Sequence, residues 1–224
     1  MPTFVRQLLL ALLALPAAAL LSACASSPAP ALQLHSLGSL MRPAATTAAT
    51  TATTQPSTIA PPTWQLLAVQ LPAYLDRDAL LVPAPGGGLQ ALAGERWAEP
   101  LRDALPRLLR DDLASLRGAA SIWAAPLPAG VLVQHQLRVE VLALDVLPGR
   151  SAVRLRARWW LADVAATATT AAPAPLLGEA DLQTSAAGRV AGGVASTEAS
   201  ALVAAHRALL WQLAERISAS AGPR

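Results

Sequence analysis

Alternating apolar and polar residues in the middle of the chain predict a β-hairpin. Apolar side chains occupy the odd positions in residues 131–141, except at His135, and again in residues 153–161. Period-two alternation is typical of strands that bury one face. Because both apolar rows are odd-numbered, directly opposed residues should sum to an even number. This excludes a two-residue loop and favours a three-residue loop at Pro148-Gly149-Arg150.

The even positions of the same two strands carry charge. In either nearby even register Glu140 lies opposite one arginine of the second strand, whose row is Arg154, Arg156 and Arg158. Cross-strand ion pairs on an exposed face contribute only a few tenths of a kcal/mol. We interpret this row as the solvated face of the sheet, and a patch for an acidic partner is the alternative.

Two segments have the period of amphipathic helices. Residues 98–117 place leucines at helical spacing, and Gly118 supplies a stop. Pro106 removes a backbone hydrogen bond inside this segment, so we predict a bend or a start nearer Leu105. A closing helix is predicted to be capped by Ser196. Its apolar stripe comprises Leu202, Val203, His206, Leu209, Leu210, Leu213 and Ile217.

Shorter apolar runs predict the remaining strands. These runs are Leu32–Leu37, Trp64–Leu71, Ala79–Val82, Leu89–Leu92 and Leu176–Thr184. The Pro- and Gly-rich residues 83–88 predict a hairpin turn, since the lysine and following helix of a phosphate loop are missing. The order of elements predicts an α+β fold with two layers: one mainly antiparallel sheet with both helices packed on one face.

The N-terminus has the pattern of a secretory signal. Arg6 precedes an apolar stretch of about 14 residues, shorter than the roughly 20 needed to span a membrane. The stretch ends in Leu21-Ser22-Ala23-Cys24, which resembles the lipobox of bacterial lipoproteins. We therefore predict a signal peptide over 1–23, a lipid-anchored tether over 24–31 and a single domain over 32–224. An ordinary signal peptide with a chance cysteine is the alternative.

Composition agrees with an exported single domain. Cys24 is the only cysteine, so a chain acylated there has no disulfide and depends on an ordinary core. Residues 43–62 are nearly all Ala, Thr and Pro and have no apolar face to bury, so they predict a disordered insertion. The formal net charge of +3 is too small to indicate nucleic acid as a partner.

The sequence carries no recognisable catalytic or metal-binding motif. His35, His135 and His206 lie far apart without metal-ligand spacing, and there is no Gly-x-Ser-x-Gly elbow and no lysine. We interpret His135 and His206 as hydrogen-bonded residues at the boundary of the core. The acidic pairs in Asp76-Arg77-Asp78 and Asp111-Asp112 are typical of a loop and a solvated helix surface. The prediction is a protein with no catalytic residue, no metal and no cofactor.

Two stretches are more distinctive than any general pattern: Leu71-Pro72-Ala73-Tyr74-Leu75-Asp76-Arg77 and Arg96-Trp97-Ala98-Glu99-Pro100-Leu101. With the lipobox, the hairpin and the closing helix, they resemble the PqiC family. These proteins are auxiliary lipoproteins of ABC-type and paraquat-inducible transport systems, also described as membrane integrity-associated transporter subunits. The resemblance extends from about Leu32 to the C-terminus and is interrupted by the insertion.

The resemblance implies a non-enzymatic component of a mammalian-cell-entry (MCE) type lipid-transport pathway. The expected partner is a periplasm-spanning MCE-domain protein similar to PqiB, and family members are associated with ring-shaped homo-oligomers. The membrane is reached through the lipid anchor. Ala25 follows the cysteine where inner-membrane lipoproteins tend to have Asp, so we expect the periplasmic face of the outer membrane.

The two distinctive stretches supply the candidate contacts with a partner or a second subunit. These are Tyr74, Leu75, Asp76, Arg77, Trp97 and Glu99. Local structural roles are the alternative: a turn around Asp76, an apolar staple at Trp97, and Glu99 at the positive end of a helix. For the whole protein, the rival functions are an outer-membrane lipoprotein that regulates a periplasmic enzyme, such as a cell-wall synthase, and a lipid carrier.

Overall fold

A computed structural model describes residues 31–38, 62–164, 174–186 and 197–221. The elements, in chain order, are β1 (Gln33–His35), β2 (Trp64–Gln70), β3 (Ala79–Pro83), β4 (Leu89–Trp97), α1 (Leu101–Arg117), β5 (Ile122–Ala124), β6 (His135–Val146), β7 (Ala152–Asp163), β8 (Leu176–Ser185) and α2 (Glu198–Ser220). Short 3₁₀ turns cover Ala73–Leu75 and Ala119–Ser121. The predicted signal peptide, Cys24 and the insertion up to residue 61 lie outside the described residues.

The strands form two mixed sheets. The smaller has the order β1-β4-β3 and the larger the order β5-β2-β6-β7-β8. β1 pairs parallel with β4, and β2 pairs parallel with both β5 and β6. Together with the two helices, these sheets confirm the predicted α+β class. The prediction of one single, mainly antiparallel sheet was wrong. Parallel partners such as Trp64 and His135 lie far apart in the chain, and their pairing leaves no local pattern to detect.

The core lies between the larger sheet and the two helices. α1 packs on β2 and β5, α2 packs on β7 and β8, and the helices contact each other. The odd-numbered residues of β7 from Val153 to Leu161 are buried, as sequence alternation predicts. Every residue of the predicted α2 stripe is also buried. Burying each large aliphatic side chain contributes about 1.5–3 kcal/mol, so this face holds the domain together.

A β-bulge changes the register of the β6–β7 hairpin. Glu140 lies opposite Arg158, which is one of the arginines that an even register places there. Between Val141 and Ala143 the register shifts by one residue, after which Val146 opposes Val153. The connection between the strands therefore comprises residues 147–151. The backbone N–H of Leu147, its first residue, donates to the carbonyl of Ala152, the first residue of β7. The predicted three-residue loop was wrong because one inserted residue reverses which positions face inward.

Both helix starts differ from the prediction. α1 begins at Leu101, after Pro100, and runs through Pro106 to Arg117, so a start nearer Leu105 was wrong. The N-cap of α2 is Thr197, whose Oγ1 accepts a hydrogen bond from the Ser200 N–H at 3.2 Å. Ser196, the predicted cap, lies outside the described residues. A threonine oxygen that accepts from the third helical N–H satisfies a donor left free by the helix geometry.

Among the described residues, the interior contains an ion pair that the sequence did not predict. Asp112 was predicted on a solvated helix surface, yet its side chain is buried and receives two hydrogen bonds from Arg207 of α2. The N···O distances are 2.7 and 2.6 Å. Asp111 next to it does lie at the surface and pairs with Arg110. A helix turns about 100° per residue, so neighbouring carboxylates belong to different faces.

Candidate interaction surface

Tyr74 is hydrogen-bonded to one strand at the end of the larger sheet. It belongs to the 3₁₀ turn directly after β2, and β2 pairs with β6 only as far as Glu140. Beyond that point the Tyr74 hydroxyl donates to Asp145 at 2.7 Å and accepts from the Leu144 backbone N–H at 3.3 Å. The tyrosine thus replaces the missing strand as hydrogen-bond partner for β6.

The environment keeps the Tyr74 hydroxyl protonated. Burial, and then the hydrogen bond to the Asp145 carboxylate, raise the pKa of Tyr74 to about 12. Near neutral pH the phenol is therefore always a donor to Asp145. This contact positions the loop that follows and gives Tyr74 a structural role, whatever else it binds.

The rest of this loop divides into anchored and free side chains. Leu75 is buried in the core, and Asp76 accepts hydrogen bonds from Arg102 in the first turn of α1, at 2.9 Å to each carboxylate oxygen. Arg77 is exposed, and none of the described residues forms an ion pair with it. Of the four loop candidates, Arg77 is the side chain most available to a partner.

Trp97 and Glu99 occupy different environments. Trp97 is 6% exposed, and its ring meets the ring of His206 edge to face at 5.4 Å between centroids. Glu99 is partly exposed and pairs with Arg107, one turn and a half into α1. Glu99 therefore lies at the surface beside α1, while Trp97 joins the smaller sheet to α2.

The three histidines all have protein partners. His206 is fully buried, and its Nδ1–H donates to the Leu202 carbonyl at 2.7 Å. Burial lowers the pKa of His206, since the charged ring would lose its hydration. His135 contacts Asp163 at 2.5 Å, and His35 contacts Glu95. Within the described residues, no group of three or more His, Cys, Asp or Glu side chains is placed to hold a metal ion.

The outer face of the larger sheet, opposite the helices, carries ion pairs across strands. Arg158 donates to Glu140 at 2.7 Å, and its guanidinium lies 5.2 Å from the ring centre of Trp160. Arg154 pairs with Asp181, and this hydrogen bond lowers the pKa of the Asp181 carboxyl. These pairs agree with a solvated face whose charges largely compensate each other.

The same outer face contains a groove that sequence reasoning missed. Its volume is about 370 Å³. Its lining residues are Ala68, Gln70, Arg138, Val139, Trp160, Ala162 and Pro175. They come from β2, β6, β7 and the approach to β8, so only the pairing of these strands brings them together. In the sequence, the feature that could have indicated this groove is Trp160, because it is a tryptophan at a position of the strand where the other side chains are polar.

Comparison with known proteins identifies the family. Residues 43–218 match the family described as ABC-type transport auxiliary lipoprotein component, and the chain belongs to this family. Among curated protein sequences, none matches the chain. None of the helices within the described ranges is long and apolar enough to cross a membrane.

Solved structures resemble this chain at low sequence identity. A crystal structure of an uncharacterised protein is 17% identical, with a TM-score of 0.55, and the match covers 72% of this chain and 92% of the other. A protein from Xanthomonas campestris is 19% identical, with a TM-score of 0.49 and coverages of 72% and 86%. A PelC dodecamer from Paraburkholderia phytofirmans is 10% identical, with a TM-score of 0.34 and coverages of 70% and 92%. The first of these supports the fold alone.

Proposed function

We propose that this protein is an outer-membrane-anchored, non-enzymatic auxiliary lipoprotein of an MCE/ABC-type lipid transport system. Its acylated Cys24 holds it on the periplasmic face, and its domain docks on a periplasm-spanning MCE component similar to PqiB, as a ring of identical copies. The observation that carries this proposal is the family match over residues 43–218. The lipobox at residues 21–24 supports the anchoring.

The loop at residues 74–77 supports a docking role because it is held rigidly while Arg77 remains exposed. Tyr74, Leu75 and Asp76 each contact a different part of the domain, namely β6, the core and α1. A loop already held in one conformation loses little entropy on binding. Arginine is also over-represented among residues that dominate binding energies. Arg77 is therefore the contact we propose for the MCE partner.

Co-purification tests the docking proposal. The full chain carrying Arg77→Ala should recover several-fold less MCE protein than the unaltered chain, with an unchanged unfolding midpoint. Arg216→Ala is the matched control, because Arg216 is an exposed arginine of α2 without an ion pair among the described residues. Equal recovery with both variants would remove Arg77 from the interface. A cell-wall enzyme co-purifying in place of an MCE protein would favour the rival function.

Anchoring is tested separately. Cys24→Ala should abolish labelling by a fatty-acid probe and release the protein from membranes, because three acyl chains supply the attachment. Labelling that persists in this variant would contradict the lipobox interpretation. Fractionation of the unaltered protein with the inner membrane would contradict the outer-membrane location.

A further inference from the structure

Two exposed leucines mark the start of the described domain. Leu32 is 65% exposed and Leu34, in β1, is 63% exposed. Side chains two residues apart in an extended strand point to the same side. Leu34 therefore projects from the outer side of β1, at the outer edge of the smaller sheet, and Leu32 directly precedes this strand.

The opposite side of β1 is satisfied by the domain. His35 contacts Glu95, and the His35 carbonyl accepts a hydrogen bond from the Ala98 N–H at 2.8 Å. Trp97, which is the direct partner of His35 in the sheet, lies in the core. β1 is thus held against the domain through His35, while Leu34 lies on the opposite side of the strand and Leu32 is exposed just before it.

The position of this strand in the chain indicates what it meets. Leu32 follows Cys24 by eight residues, and an extended chain of that length reaches at most about 28 Å. A group held so close to a membrane anchor has a high effective concentration at the membrane surface. Contacts too weak to recruit a free protein then suffice to orient an anchored one.

We propose that β1 is the membrane-facing edge of the domain, with Leu32 and Leu34 inserted into the headgroup region of the bilayer that holds the acyl chains of Cys24. This inference rests on the anchoring in the proposed function and adds an orientation to it. Arg96 is the direct partner of Leu34 in the sheet, and its side chain lies 3.6 Å from the Asp78 carboxylate. Because these two charges compensate each other, the contact depends little on anionic lipid.

The orientation places the docking loop near the membrane. Leu34, Arg96 and Ala79 occupy one row across the smaller sheet, and Ala79 follows Arg77 by two residues. Two strand spacings are about 10 Å. The proposed contact with the MCE partner thus lies next to the edge that meets the lipid, so a partner would be received at the membrane surface.

Site-specific fluorescence in the anchored protein tests the orientation. With Cys24 acylated, Leu34→Cys supplies the single free thiol of the chain, which can carry an environment-sensitive fluorophore. Leu132→Cys is the matched control, since Leu132 is 86% exposed and lies between β5 and β6. Both acylated proteins are placed in vesicles of phosphatidylethanolamine and phosphatidylglycerol that contain a nitroxide-labelled lipid. Circular dichroism verifies that both variants fold.

An interfacial strand predicts quenching of at least about half of the emission at residue 34 and less than about a tenth at residue 132. Replacing phosphatidylglycerol by phosphatidylcholine should leave the quenching at residue 34 unchanged. Equal quenching at the two positions would overturn the inference. The label at residue 34 could instead be shielded only at high protein concentration and not be quenched by the nitroxide lipid. That result would place the leucines in an interface between copies and overturn the inference. Failure of the protein to incorporate would refute the anchoring itself, together with this inference.

Discussion

The buried ion pair between Asp112 and Arg207 joins the two helices inside the core. The guanidinium donates to both carboxylate oxygens, which is the geometry that arginine provides best. Desolvation of two buried charges offsets most of their attraction. Removing one partner should therefore be far more harmful than removing both, because the remaining charge is left buried without compensation.

Single and double substitutions separate these two effects. Asp112→Ala should lower the free energy of unfolding by about 3–5 kcal/mol, whereas Asp112→Leu combined with Arg207→Met should stay close to the unaltered protein. Urea denaturation measures both. Equal losses in the single and double variants would show that the pair itself stabilises the helix packing.

His206 makes stability depend on pH. Burial lowers the pKa of His206 in the folded protein, whereas the unfolded chain has a value of about 6.5. Below that pH the unfolded state binds more protons than the folded state, so this residue's contribution to stability is lost as the pH falls. We expect the unfolding midpoint to drop on acidification below about pH 6.5.

His206→Leu removes this titrating group while keeping an apolar side chain beside Trp97. The variant should lose less stability than the unaltered protein between neutral and mildly acidic pH, whatever its stability at neutral pH. Thermal unfolding at a series of pH values gives the comparison. Identical pH profiles would exclude His206 as the residue responsible.

At the scale of elements, the pairing of β7 with β8 depends on one glycine. Gly178 is the direct partner of Trp159, whose ring lies over it and donates from Nε1 to Ser220 of α2 at 3.2 Å. A Cβ added at Gly178 would lie 2.2 Å from that ring. Glycine within a strand is normally unfavourable, but here it creates the space for a buried tryptophan.

Gly178→Ala should therefore force Trp159 from its position and lower the free energy of unfolding by about 1–3 kcal/mol. Gly38→Ala is the control, because the nearest atom to its added Cβ, in the Arg107 guanidinium, lies 3.5 Å away. Chemical denaturation compares the two. In a Trp159→Leu background, Gly178→Ala should be much less harmful, and a full loss there would point to a cause other than the ring.

At the scale of the whole molecule, the Ala/Thr/Pro insertion connects the two sheets. Gly38, after β1, lies near the Arg107 guanidinium, and the ring of Trp64, in β2, lies 3.9 Å from the Arg117 guanidinium. Ten helical residues separate these arginines, a rise of about 15 Å. Both ends of the connection thus lie beside side chains of one helix, and a connection much shorter than the natural one can join them.

Replacing residues 43–62 by a Gly/Ser linker of about six residues should consequently shift thermal unfolding by only a few degrees, since each halving of a loop changes stability by about 0.6 kcal/mol. Differential scanning calorimetry measures the shift. A large loss of stability would mean that the segment packs against the domain.

The features that depend on a single strand or helix were predictable from the sequence. The alternation in β6 and β7 and the stripe of α2 depend only on the side-chain period of each element, so their buried faces were predicted correctly. That Glu140 lies opposite an arginine of β7 followed from the same alternation, whereas the structure decided that this arginine is Arg158. The distinctive stretches around Tyr74 and Trp97 indicated the family that the match over residues 43–218 shows.

What depends on distant partners was decided only by the tertiary structure. The parallel pairing of β1 with β4 and of β2 with β6 joins segments without a local signal, and a single bulged residue lengthened the predicted loop. Asp112 is buried because Arg207 meets it across the helix interface. The same holds for the candidate site: Trp97 is held in the core by α2, while Arg77 remains exposed. Side-chain period is a property of one element, whereas burial and partner choice are properties of the packing between elements.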